Sequence, residues 1–152
     1  MSRSRSTARL VTVAACGAVL ASVVAPAAVA AQQGAAARPA VVFGKIQYDS
    51  PGRDDRSNRS LNAEWVTVTN TGKKAVDLSR WTLTDNERHT YRFGKLRLAA
   101  HASVRVHTGS GRDSAADVYQ NQRTYVWNND RDKATLRDAG GRVVATAAWG
   151  RR

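Results

Sequence analysis

The stretch Glu64–Asp85, EWVTVTNTGKKAVDLSRWTLTD, constrains the fold more than any other part of the chain. Val66 and Val68 share one parity, and Val76 and Leu78 share one on the next run, with Asp77 between them. Alternation of this kind is the period of a half-buried strand, whose successive side chains point to opposite faces. Asn70-Thr71-Gly72 joins the two runs and supplies turn backbone, so a hairpin is expected, with Lys73 and Lys74 in water. Parity then slips, because Trp81 and Leu83 alternate but Trp81 is out of step with Leu78. A strand that keeps these residues on one core must bend or bulge at Ser79-Arg80.

The rest of the chain repeats the pattern. Val41 to Tyr48 is a strand with a bulge expected at Gly44. Asp49 to Asn62 is a long polar loop rich in turn formers. His89 to Phe93 places Tyr91 and Phe93 on one face, Gly94 breaks the run, and Leu96 and Leu98 continue it. Ser103 to His107 points Val104 and Val106 inward and Arg105 and His107 outward. Thr108 to Asp117 is a second polar loop, Val118 to Trp127 a further strand, and Ala134 to Asp138 a strand centred on Leu136. Gly140-Gly141 reads as a two-residue hairpin connection into a last strand from Arg142 to Trp149. Sustained helical spacing is missing after the leader. An all-β fold follows, a sandwich of about seven to nine short strands.

The first residues have a different character. Arg3, Arg5 and Arg9 precede an apolar run from Leu10 to Val24, and Ala28-Val29-Ala30 supplies a small-residue cleavage signal. Residues 1–30 therefore read as a signal peptide cut after Ala30, which implies secretion to the extracellular side. The run is Ala-rich and broken by Pro26, short of the ~20 strongly apolar residues a spanning helix needs. Residues 31–40 form a flexible linker, and 41–150 the domain. The one cysteine, Cys16, falls inside the apolar run, so the exported chain carries no disulfide. Removing three arginines from 24 basic residues leaves 24 − 3 = 21 against 12 acids, a net charge of 21 − 12 = +9. That charge favours anionic partners such as nucleic acid, acidic wall polymers and lipid headgroups, or serves solubility alone. Arginine and alanine richness fits a bacterial, GC-rich source.

The chain carries few patterns with chemical meaning. His89, His101 and His107 have no metal-pair spacing, and with no thiolate in the exported chain no metal or cofactor is expected. Gly109-Ser110-Gly111 lacks the spacing of a nucleophile elbow and has no helix after it, so no catalytic residue is assigned. A triad built by the fold from His107, Ser110 and an aspartate would reopen that question. Asn128, Asp130 and Asp132 alternate as in a calcium loop, but Arg131 stands where glycine is favoured and no closing Glu follows; a turn stabilised by these side chains is the simpler reading. Contacts to an anionic partner are open to Arg53, Arg56 and Arg59 in the first loop, Lys73 and Lys74, and Arg92, Arg97 and Arg105, the last three outward by alternation and able to line one sheet face. Trp81, Trp127, Tyr91 and Phe93 read as core. Trp65 has the opposite parity from Val66 and Val68. It either packs in the core or edge, the commoner fate of tryptophan, or stands exposed beside basic residues as a contact aromatic.

Set in order, the pieces resemble the lamin tail domain family, an immunoglobulin-like β-sandwich. The resemblance rests on Glu64-Trp65-Val66 through Asn70-Thr71-Gly72, Val76-Asp77-Leu78, Trp81 to Asp85 and Tyr91-Arg92-Phe93. It continues through Leu96 to Leu98, Val104-Arg105-Val106, Trp127-Asn128-Asn129, Leu136-Arg137-Asp138, Gly140-Gly141 and Val143-Val144. One departure is Ala99-Ala100-His101-Ala102, where the family often has Pro-Gly. The resemblance implies a non-catalytic interaction module, of the kind that contacts proteins and chromatin in lamins and accompanies secreted hydrolases or nucleases in bacteria. The expected function is an exported module that binds a protein or cell-envelope component. The alternative is electrostatic binding of nucleic acid or an anionic wall polymer.

Overall fold

A computed structural model describes residues 40–150. The leader expected over 1–30, and the linker over 31–40 apart from its last residue, lie outside the described residues. Ten strands and one short helix follow in the order β1 (Val41–Gln47), α1 (Asn58–Asn62), β2 (Trp65–Asn70), β3 (Val76–Asp77), β4 (Thr82–Thr84), β5 (Thr90–Arg92), β6 (Arg97–Leu98), β7 (Ser103–His107), β8 (Asp117–Tyr119), β9 (Arg131–Arg137) and β10 (Val143–Gly150). One sheet has the order β1-β2-β7-β8, a second β10-β9-β4-β5, and a two-stranded piece pairs β3 with β6. All pairs are antiparallel except β7 with β8.

The core is the alternation made solid. Val66 and Val68 from β2 and Val104 and Val106 from β7 meet Leu83 from β4 and Ala134 and Leu136 from β9. Phe93, Leu78, Leu98 and Trp127 complete the packing, with Trp81 and Tyr91 partly buried against it. The Gly44 bulge is present as a register shift between Phe43 and Ile46. The bend at Ser79-Arg80 is also present: Arg80 has φ 68°, and Asp77 Oδ1 accepts from the Ser79 backbone N–H at 2.9 Å.

Several expectations need correction. β2 and β3 do not form a hairpin, since β2 lies between β1 and β7 while β3 pairs with β6. The reason is Asn70, which is fully buried. Its Nδ2 shares two hydrogens among the carbonyls of Lys74 at 2.8 Å, Leu98 at 3.2 Å and Ala99 at 2.9 Å, and its Oδ1 accepts from Gly72 N at 2.9 Å. The turn residues thus build an arch that carries the chain from one sheet to another. The first polar loop contains a helical turn, α1, capped by Ser57, whose hydroxyl accepts from Ser60 N. Five residues are too few to show a helical period. Val118 to Trp127 is a strand only as far as Tyr119. β9 begins at Arg131 and takes in Asp132, which had read as turn. The β9–β10 connection is wider than two residues, with Asp138 N donating to Arg142 O across Ala139–Gly141 and Gly141 at φ 82°.

Candidate binding face

β2 is central in its sheet, so its alternation gives one buried and one outer row. Val66, Val68 and Asn70 are buried, while Trp65, Thr67 and Thr69 form the half-buried outer row. Trp65 therefore stands on the outer face and not in the core. Its position is fixed from both sides. Arg105 from β7 places its guanidinium carbon 4.9 Å from the indole centroid, and Lys45 from β1 places its Nζ at 5.6 Å. Both distances are within cation–π range, which is about 6 Å. Trp65 is thus half-buried on the outer face of the sheet, outside the core and not fully exposed.

Lys45 had no place in the sequence reading. It sits in the β1 bulge, where the register shift hides its direction from any alternation count. The same bulge leaves Gly44 over the outer row. A Cβ there would lie 3.1 Å from Thr69 Oγ1 and 3.2 Å from Thr67 Cγ2. Glycine thus keeps open a groove of about 570 Å³ lined by Lys45, Trp65, Thr67, Thr69, Ser103 and Arg105. Thr69 and Ser103, cross-strand partners, share a hydroxyl hydrogen bond of 2.8 Å on its floor. Asp117 closes one end, its carboxylate taken by His107 Nε2 at 2.8 Å.

The other basic residues do not gather. Arg92, Arg97 and Arg105 are all exposed, but they belong to β5, β6 and β7, in three different sheets. The single stripe expected of them is not formed, because three consecutive strands of a sandwich are dealt to different sheets. Arg92 reaches back to Arg80 O at 3.5 Å. Arg53, Arg56 and Arg59 are exposed around α1, their backbone held by Ser60 Oγ to Arg53 O at 3.2 Å and by Arg56 N to Tyr125 Oη at 3.4 Å. Lys73 and Lys74 are exposed on the arch after Asn70.

A catalytic triad does not assemble around Ser110. His107 does meet an aspartate, Asp117, but its other nitrogen is 2.8 Å from Asn62 O, so neither ring nitrogen is left for a serine. His107 is also not open to solvent as expected: its side chain is 12% exposed, and Tyr119 stacks on it at 5.0 Å. The Gly109-Ser110 loop is gripped from α1. Asn58 Nδ2 and Asn62 Nδ2 each donate to Ser110 O at 2.9 Å, and Asn58 Oδ1 accepts from Ser110 N at 2.7 Å.

Among the described residues, Asp85, Glu87 and His89 bring metal-ligand atoms within 4.8 Å of one another, and the three histidines do not group. Asp85 is already spent on His89, taking its backbone N–H at 2.8 Å and facing its Nδ1 at 2.5 Å, and this contact holds the His89 pKa above its ordinary value. In the calcium-like turn, the Asn128 and Asp132 side-chain oxygens are engaged as well. Asn128 Oδ1 accepts from Asp130 N at 3.0 Å, and the Asp132 carboxylate from Asn86 N and Asn128 N, each at 3.0 Å. That is a turn closed by its own side chains.

No curated protein matches the chain. The family comparison does: the lamin tail domain family matches residues 34–151. The match spans the sandwich from β1 to β10, agrees with the immunoglobulin-like architecture, and includes the Trp65 face. The chain belongs to the lamin tail domain family.

Proposed function

We propose that this domain is an exported, non-catalytic interaction module that holds a protein or a cell-envelope component against the outer face of the β1-β2-β7-β8 sheet. The observation that carries this reading is the half-buried Trp65 indole, with Arg105 at 4.9 Å and Lys45 at 5.6 Å, on a sheet face left open among the described residues. Tryptophan and arginine are the residues that dominate binding energy where two surfaces meet. Export is supported by the basic start, apolar run and Ala28-Val29-Ala30 of the leader. The absence of catalysis is supported by the commitment of both His107 nitrogens. Dispersal of Arg92, Arg97 and Arg105 over three sheets speaks against a continuous phosphate track, so non-specific nucleic-acid binding is the weaker reading.

The test is co-sedimentation of the exported protein with envelope fragments of the producing cell. Saturable binding that Trp65→Ala and Arg105→Ala weaken, with the exported chain starting at Ala31, is the expected result. Unsaturable or absent binding, together with turnover on a panel of hydrolase substrates, would overturn it.

A further inference from the structure

The groove beside Trp65 has a chemical character beyond charge. Its wall is an indole with two cations beside it, its floor carries the Thr67, Thr69 and Ser103 hydroxyls, and its depth exists because Gly44 has no side chain. The one carboxylate at its rim is already engaged by His107. We propose that this groove is a binding site for an acidic polysaccharide, a chain of sugar rings bearing carboxylates.

Each part of the groove matches one part of such a ligand. The C–H face of a sugar ring is apolar and flat, and packs on the Trp65 indole as Lys45 and Arg105 turn from the ring to the sugar carboxylates. Ring hydroxyls both donate and accept, as do threonine and serine, so a hydroxyl floor pairs with them without a fixed donor pattern. The carboxylates meet Lys45 and Arg105, and arginine receives them through two parallel N–H groups. A nucleobase would ask for amide or guanidinium edges directed at its rim; no amide side chain lines the groove, and its guanidinium, that of Arg105, lies over the indole. A bare polyphosphate would use the two cations and leave the indole and floor without a role.

This inference rests on the proposed binding role of the same face and names the chemistry of its partner. Isothermal titration of the full-length protein with polygalacturonate tests it, beside a neutral glucan, inorganic polyphosphate and duplex DNA. Polygalacturonate is expected to bind saturably and more weakly as salt rises, with the glucan at least tenfold weaker. Arg105→Ala and Gly44→Val, the latter filling the groove, are each expected to weaken binding at least tenfold. Circular dichroism identifies a variant that fails to fold, and the other variant then carries the comparison. Polyphosphate or DNA binding as tightly as polygalacturonate would overturn the saccharide assignment. So would binding that folded Arg105→Ala and Gly44→Val proteins retain. Loss of the saccharide assignment with Trp65-dependent sedimentation on envelope fragments intact would leave the broader binding role standing. Loss of sedimentation alone would remove that role.

Discussion

The Thr108 hydroxyl donates to Glu64 Oε1 at 2.5 Å in an interior that excludes solvent from both side chains. The same oxygen accepts from the backbone N–H groups of Val126 at 2.9 Å and Trp127 at 3.3 Å, while Oε2 has no hydrogen-bond partner among the described residues. Glu64 therefore ties the start of β2 to the segment after β8 through one oxygen. Burial pushes its pKa from 4.5 up to about 7, against the pull of those three donors.

That shift has a definite sign. Below pH 4.5 the carboxyl is protonated in the folded and unfolded chain alike. Between 4.5 and about 7 the folded state keeps a proton that the unfolded state releases, so stability falls as pH rises. Above that window the loss is complete, about 3 kcal/mol at most. Glu64→Gln keeps the accepting oxygen without the charge. Its urea-unfolding free energy should be nearly flat over this window, and at pH 8 it should exceed that of the wild type. Parallel pH profiles for the two proteins would refute the account.

Groups at the surface bend the profile at both ends. The Asp85 carboxylate holds His89 above its ordinary pKa, so its contribution is present below the unfolded value, about 6.5, and is lost as pH rises through the folded one. Asp55, Asp77 and Asp138 are held below theirs, chiefly by the Ser57 side chain, the Ser79 side chain and the Arg142 backbone respectively. Their contributions are present above the unfolded value and are lost as pH falls through the folded ones. Thermal melts across pH should therefore peak on the mildly acidic side, and Asp85→Asn should reduce the fall between pH 6 and 8. A maximum above pH 8 would contradict this assignment.

The core was legible from parity because its residues alternate: Val66, Val68, Val104, Val106 and Leu136 are all buried. Pairing was not legible, because alternation reports a face and says nothing of a neighbour. The run after Asn70 looked like the return strand of a hairpin, but it pairs with β6, and the side-chain bonds of Asn70 hold the arch by which it crosses away. Trp65 was ambiguous for a related reason. Parity put it outside, composition put it inside, and the residues that hold it outside come from β1 and β7, distant in sequence. Lys45 left no trace at all, since a bulge erases the period that would have pointed it outward. The arginines were read as outward, and all are exposed, but which sheet each joins is a property of topology.

His101 lies in the turn Ala99–Ala102, where the family often has Pro-Gly, and its backbone is left-handed, with φ 58°. A side chain in the left-handed region costs about 1–2 kcal/mol, part of which glycine returns as unfolded-state entropy. His101 is exposed, and its side chain makes no hydrogen bond among the described residues. His101→Gly should therefore stabilise the domain by about 0.5–1 kcal/mol in urea unfolding. A destabilised variant would show that the turn draws on the histidine in a way its backbone angle does not reveal.

Asn70 offers the strongest test of how the sandwich is held. Alanine at this position leaves the carbonyls of Lys74, Leu98 and Ala99 and the Gly72 N–H without their side-chain partner. A buried polar group without a partner costs about 1–3 kcal/mol, and water can reach those nearest the exposed Lys74. Asn70→Ala should then cost about 3 kcal/mol overall, a large fraction of the stability of a domain this size. Aspartate is the informative second variant. It still accepts from Gly72 N but sets a carboxylate against three carbonyl oxygens, so it should cost more than alanine despite its closer shape. Hydrogen exchange adds the location: in both variants the β3–β6 amides should lose protection before those between β2 and β7, whose ladder does not use the Asn70 side chain. Equal loss in both places would mean that Asn70 supports the whole sandwich, and an aspartate milder than alanine would mean that the arch is held by chain geometry and not by these bonds.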